Sequence, residues 1–279
     1  MVKTLIKSLK NKHLNPGILE SWNPFSIISR RKFLARALGL AGGWILSGAD
    51  FSFGALYPHF FFSQVQYRGG EWDPNPMYAG PIVEELELRT SIDATSERRV
   101  IEVADPALFY SPFIYMAGRY EFEPFSETER AILKRFLTYG GFLLAEDTVG
   151  ARGFGFDRAF RREIAQILPE HPLERLSPDH SVYQSFYLIG SIAGRLKINP
   201  YLEGITLKNW TPVIYSQNDL SGAWSKDKYG KWVHACVPGG DLQRKAAFKI
   251  GINIVVYSLT ADYKRDLIHH PFIRRRQNL

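Results

Sequence analysis

The chain has 279 residues, 45% hydrophobic and 23% charged, values of a globular domain with an appendage rather than of a disordered, collagen-like or polytopic membrane protein. The net charge of +7 belongs to one end: of 35 basic and 28 acidic residues, eight and one fall in residues 1–49, leaving 27 of each sign in the remainder. That balance excludes an electrostatic footprint for nucleic acid over the rest of the chain.

Residues 1–49 read as an export segment. Ser29-Arg30-Arg31-Lys32-Phe33-Leu34 leads into an apolar run from Phe33 to Ala49 that only Arg36 interrupts, and Ser47-Gly48-Ala49 offers the small residues that a signal peptidase reads. The Arg30-Arg31 pair resembles the twin-arginine pattern Ser/Thr-Arg-Arg-x-Phe-Leu-Lys, with Ala35 in place of the final Lys. The uninterrupted part, Ala37 to Ala49, is shorter than the roughly 20 residues that span a bilayer. The expectation is a periplasmic or extracytoplasmic protein that meets the twin-arginine translocase transiently. Cleavage falls near Ala49, or the segment stays on as an anchor. Residues 50–59 form a linker, 60–262 one α/β domain, and 263–279 a basic tail fit for a weak membrane contact.

Within the domain, Phe60 to Tyr67 is aromatic and β-branched and predicts a strand closed at Gly69-Gly70. Pro81 to Leu88 predicts a short helix, and Val100 to Val103 and Phe113 to Gly118 predict strands. Ser126-Glu127-Thr128-Glu129 is a capping box opening a helix whose stripe is Ile132, Leu133, Phe136 and Leu137. Phe142-Leu143-Leu144-Ala145 follows Gly140-Gly141 as a buried strand. Asp157 is placed to cap the next helix, with Phe160, Ile164, Ile167 and Leu168 inward and Arg158, Arg161, Arg162 and Glu163 outward. Leu173 to Asn209 reads as irregular, Thr211 to Ser216 as a strand, and Trp232 to Val237 as its neighbour. Lys245 to Leu259 is a helix apolar almost all round. Alternating strands and helices predict a three-layer α/β sandwich on a mostly parallel sheet. Cys236, the single cysteine, reads as a small buried residue and rules out an intrachain disulfide.

In such a sheet, ligands gather outside the carboxyl ends of the strands. The residues that follow each predicted strand therefore give the candidates: Tyr67, Gly69, Gly70 and Trp72, then Arg119 and Tyr120, then Glu146 and Asp147, then Asn218 and Asp219. Asp179-His180 adds an acid–imidazole pair. Each has a plainer reading, as a turn, a cap or a cleft wall, and Trp72, Trp210 and Trp224 read as core or cleft wall. No Gly-x-Ser-x-Gly elbow, phosphate-binding loop, His-Glu-x-x-His or Cys-x-x-Cys is present, and no cofactor or metal is expected.

Several blocks together resemble the bacterial domain-of-unknown-function family 4159: Tyr67-Arg68-Gly69-Gly70-Glu71-Trp72, Phe113 to Gly118, Gly140 to Asp147, Phe156 to Glu163, Asp179-His180 with Ser185-Phe186-Tyr187, and Gly251 to Tyr257. The resemblance implies a flavodoxin-like fold similar to class I glutamine amidotransferases, and partners in the cell envelope. It implies no activity, because the turn after Ala145 is Glu-Asp-Thr where an amidotransferase carries its nucleophilic cysteine. Two expectations follow. One is a non-catalytic module whose strand-end cleft, walled by Tyr67, Trp72 and Tyr120, holds an envelope protein partner or a small polar ligand. The other is an envelope hydrolase or transferase with Asp147 or Glu146 as general base and His180 as acid.

Overall fold

The computed structural model describes residues 59–260. The segments read as an export signal, a linker up to residue 58 and a basic tail lie outside the described residues.

Seven strands form one sheet: β1 (Ser63–Gln66), β2 (Arg99–Glu102), β3 (Phe113–Gly118), β4 (Phe142–Asp147), β5 (Glu174–Arg175), β6 (Glu203–Leu207) and β7 (Trp210–Ser216). Their order is β2-β1-β3-β4-β7-β6-β5. The first five in that row are mutually parallel, and β6 and β5 add an antiparallel flank. The parallel part has the doubly wound order 2-1-3-4-5, which places its switch point between β1 and β3.

Among the described residues, five helices cover the sheet: α1 (Ala79–Arg89), α2 (Glu127–Thr138), α3 (Gly155–Ile167), α4 (Leu220–Trp224) and α5 (Gly240–Thr260). The side-chain period of two divides each strand between two cores. Phe113, Tyr115 and Ala117 of β3 and Phe142 and Leu144 of β4 pack with α1, α4 and α5. Ile114, Met116, Leu143 and Ala145 pack with α2 and α3 on the other face. Burial on both faces is why β3 and β4 read as unbroken apolar runs. It also makes the three-layer sandwich that the alternation predicts.

Local signals explain several boundaries. The Ser126 hydroxyl accepts from the Glu129 amide while the Glu129 carboxylate accepts from the Ser126 amide, the capping box at the start of α2. α5 buries residues on every side because it lies between α1, α4 and the 3-10 turn Ser181–Gln184. No helix among the described residues is long and apolar enough to cross a membrane.

Four local expectations need correction. Trp232 to Val237 is not a strand beside β7: it is a loop with one bridge, Lys226 to Trp232, and the neighbours of β7 are β4 and β6. Strand β6 lies inside the stretch read as irregular, since Glu203 and Gly204 hide its apolar pattern. Asp157 is not the cap of α3. It sits in the first turn, behind Phe154, and its Oδ2 accepts from the Gly153 amide at 2.6 Å. Glu163 points inward rather than out, accepting from the Phe125 amide, Arg130 and Arg162.

Candidate functional site

The carboxyl ends of β1, β3, β4 and β7 bring most of the predicted residues to one edge, where Tyr67, Arg119, Glu146, Asp147, Asn218 and Asp219 all have partners within the protein. After β1, Tyr67 is buried and its hydroxyl donates to the Ala117 carbonyl at 2.7 Å. Gly69 and Gly70 turn the chain at φ +70° and +59°, and a Cβ on Gly70 would meet the Tyr120 carbonyl at 3.0 Å. Trp72 packs against the core on the α2 and α3 side, its carbonyl accepting from Gln64. After β3, Arg119 is half-buried, pairs with Glu71 and donates to the Pro74 carbonyl, while Tyr120 stands exposed.

Glu146 and Asp147, the last two residues of β4, are both buried. Asp147 accepts from the amides of Val149 at 2.9 Å and Ala151 at 3.1 Å, so it shapes the turn that follows β4. Burial, the largest influence on it, raises its carboxyl above the usual range. Glu146 accepts from the Tyr115 hydroxyl at 2.5 Å and from the amides of Leu220 and Ser221. It ties the start of α4 to the sheet.

After β7, Asn218 fastens the loop beneath it, accepting from the amides of Ile198 and Asn199 and donating to the Asn199 carbonyl. Asp219, at φ +54°, caps α4 through the Gly222 amide and accepts from Asn75 at 2.8 Å and from Arg195. Asn75, Arg195 and His234 are members of this edge that the sequence did not single out. Asn75 also donates to the Ser221 hydroxyl, and its carbonyl side meets His234 Nε2 at 3.2 Å. A polar network thus runs from half-buried His234 through Asn75 to Asp219 and Ser221, and on to buried Glu146 and Tyr115. No local motif announces it, because its members come from five separate segments.

His180 is elsewhere. Its Nε2 meets the Thr211 hydroxyl at 2.9 Å, at the amino end of β7. Glu146 is aligned with Ser216 at the other end of that strand. Five residues of strand separate them, about 16 Å. An acid–base pair of Glu146 or Asp147 with His180 is therefore not formed, and His180 instead holds the 3-10 turn through the Val182 amide.

Cys236 lies in the loop before α5, buried, with a thiol that burial pushes above its ordinary pKa. The protonated thiol is the weaker nucleophile. Among the described residues, no three His, Cys, Asp or Glu side chains gather to hold a metal ion.

The electrostatics make one prediction. Burial first, then the negative charge of Asp219, push the Glu146 carboxyl from 4.5 to about 8. Folded protein binds this proton more tightly than unfolded chain. The stability it contributes is therefore full below the unfolded pKa and falls as pH rises through the folded one. Glu146→Gln removes that dependence. The wild-type advantage in unfolding free energy over this variant should shrink steadily from about pH 5 to about pH 9 in denaturant titrations. A difference flat across that range would rule out a carboxyl held protonated by the fold.

Apolar side chains occupy the outside of the same edge. Tyr120, Val149, Phe154, Ile198 and Val237 are between 45% and 68% exposed. They follow β3, β4 and the loop under β7, and their segments adjoin: Gly155 abuts the backbone of Arg119 and Tyr120, and the Ile198 side chain packs over Gly150. The Val237 amide donates to the Arg195 carbonyl, and the Arg195 side chain to the Thr148 carbonyl.

Residues 61–259 match the model of a family described as "Domain of unknown function (DUF4159)". Comparison with curated proteins gives no match.

Proposed function

The chain belongs to this family of unknown function, and we propose that it is an exported, non-catalytic module that binds an envelope protein partner through the apolar rim of its sheet's carboxyl edge. One observation carries the reading. Asp147, Asn218, Asp219, Arg119 and Arg195 at that edge are held by the protein's own backbone and side chains, whereas the side chains of Tyr120, Val149, Phe154, Val237 and, beside Gly150, Ile198 are exposed to solvent. Clustered exposed apolar side chains mark protein-binding surfaces. The sequence resembles class I glutamine amidotransferases, but Glu146-Asp147-Thr148 at the end of β4 holds no nucleophilic cysteine.

Phe154→Ser with Ile198→Ser should leave the unfolding midpoint within about 2 °C of wild type, as surface changes do, and should abolish partner binding in cells. A midpoint lowered by much more would make these side chains structural and defeat the reading.

Export rests on the Arg30-Arg31 pair and the apolar run behind it. Arg30→Lys combined with Arg31→Lys should trap the protein in the cytoplasm, measured by fractionation. Undiminished appearance in the periplasm would exclude the twin-arginine route.

A further inference from the structure

The two ends of the described domain leave from the same side. Strands β1, β2, β3, β4 and β7 are parallel, so their amino ends share one edge. Phe60, just ahead of β1, is fixed there by its amide bonding to the Asp93 carbonyl. Helix α5 runs the opposite way to the strands. It starts at the carboxyl edge, where Gln243 donates to the Arg195 carbonyl, and finishes at the amino edge, where the Tyr257 hydroxyl accepts from the Thr211 amide. Residues 1–58 and 261–279 therefore both join the domain opposite the rim and the polar network.

What those segments carry in sequence is suited to lipid. The first contains the apolar run from Phe33 to Ala49, and only ten residues, 50–59, separate it from Phe60. That stretch reaches at most about 35 Å. The second holds Lys264, Arg265, Arg274, Arg275 and Arg276 against Asp262 and Asp266, interleaved with Leu267, Ile268, Phe272 and Ile273. Basic residues among large apolar ones favour the interface of an anionic bilayer.

The amino edge itself adds exposed apolar groups in both helix layers. Leu88 near the end of α1 is 70% exposed, and Tyr139 after α2 and Leu259 near the end of α5 are each 38% exposed. Lys208, in the turn between β6 and β7, is exposed and makes no ion pair among the described residues.

We propose that the amino edge of the sheet is a docking surface for an anionic lipid bilayer, and that it holds the carboxyl edge and its apolar rim away from the membrane. The placement is independent of the rim's partner, and it does not require the apolar run to be retained, because residues 261–279 leave from the same edge.

The test uses the full chain with vesicles containing phosphatidylglycerol and brominated phosphatidylcholine. Leu88→Cys and Phe154→Cys are each given a polarity-sensitive fluorophore, with buried Cys236 as the labelling control. The label at position 88 should be quenched at least 3-fold more than that at 154. Replacing Arg274, Arg275 and Arg276 by Ala should at least halve the quenching at 88. Stronger quenching at 154, or quenching at neither position, would overturn the proposal. Equal quenching at 88 on vesicles lacking phosphatidylglycerol would overturn its anionic character.

Discussion

Trp224→Ala is expected to lower the unfolding free energy by about 3–5 kcal/mol. Helix α4 has only five residues and little helical stability of its own. Its place depends on two attachments. At its start Glu146 accepts from the Leu220 and Ser221 amides. At its end the Trp224 indole is fully buried between Tyr78 and Phe248, with Nε1 donating to the Ala247 carbonyl at 3.1 Å. Gly251 leaves the room for that ring, since a Cβ there would meet Trp224 Cζ2 at 2.5 Å. Cutting the side chain to a methyl opens a cavity bounded by α1, α4 and α5, and rigid helices cannot close it fully. In a domain of this size the midpoint should fall by roughly 6–20 °C. Leu188→Ala, 88% exposed, is the control and should change stability by no more than about 0.5 kcal/mol. Near-wild-type stability for Trp224→Ala would mean that α4 does not pack as described.

Asp157→Ala should cost about 3 kcal/mol or more. The carboxylate is fully buried at the base of α3. It accepts from the Gly153 amide at 2.6 Å, Arg161 Nε and the Tyr215 hydroxyl at 2.8 Å each, and Gln217 at 3.1 Å. Arg161 continues to Glu203 on β6, so one carboxylate links α3 to β7 and to the antiparallel flank. The alanine variant strands the buried Tyr215 hydroxyl and Gln217 amide, which lose an acceptor that water cannot replace, and takes the buried partner from Arg161. Denaturant unfolding measures the loss. A change below about 1 kcal/mol would show that these donors find other partners and that the linkage is dispensable.

Much of the architecture was legible in the sequence. Phe113 to Gly118 and Phe142 to Ala145 could be read directly because burial on both faces writes itself as an unbroken apolar run. The capping box at Ser126 and the all-round apolar helix α5 carried equally local signals. Strand β6 did not, because its buried start is Glu203, paired with Arg161, and Gly204, packed against Leu176, Thr211 and Val213, which leaves no apolar run to read. The loop Trp232 to Val237 imitated a strand because its apolar residues serve other ends: Trp232 lies under the Arg244 guanidinium at 4.2 Å, and Val237 stands on the rim.

The candidate site was legible only in outline. Reading past each strand end found Glu146, Asp147, Asn218 and Asp219 on one edge. Their partners Asn75, Arg195 and His234 come from loops distant in sequence, so nothing local marks them. The same reading could not tell an acid aimed at solvent from one aimed at its own backbone. Asp147 shows the difference: its two acceptor contacts lie two and four residues ahead, inside the loop it shapes. His180 shows the other limit, since adjacency to an acid in sequence says nothing about which end of a strand the imidazole reaches.

The central claim is that the outer apolar rim, and not the buried carboxylates, meets the partner. The most direct measurement is photo-cross-linking in cells producing the full chain, with a photoreactive phenylalanine analogue placed in turn at Phe154, Tyr120 and, as a control away from the carboxyl edge, Leu188. The account predicts a discrete adduct of one mass from positions 154 and 120, absent from 188, lost with Ile198→Ser and retained with Glu146→Gln. Adducts from 188 alone, or an adduct at the rim lost with Glu146→Gln while the fold stays intact, would contradict it.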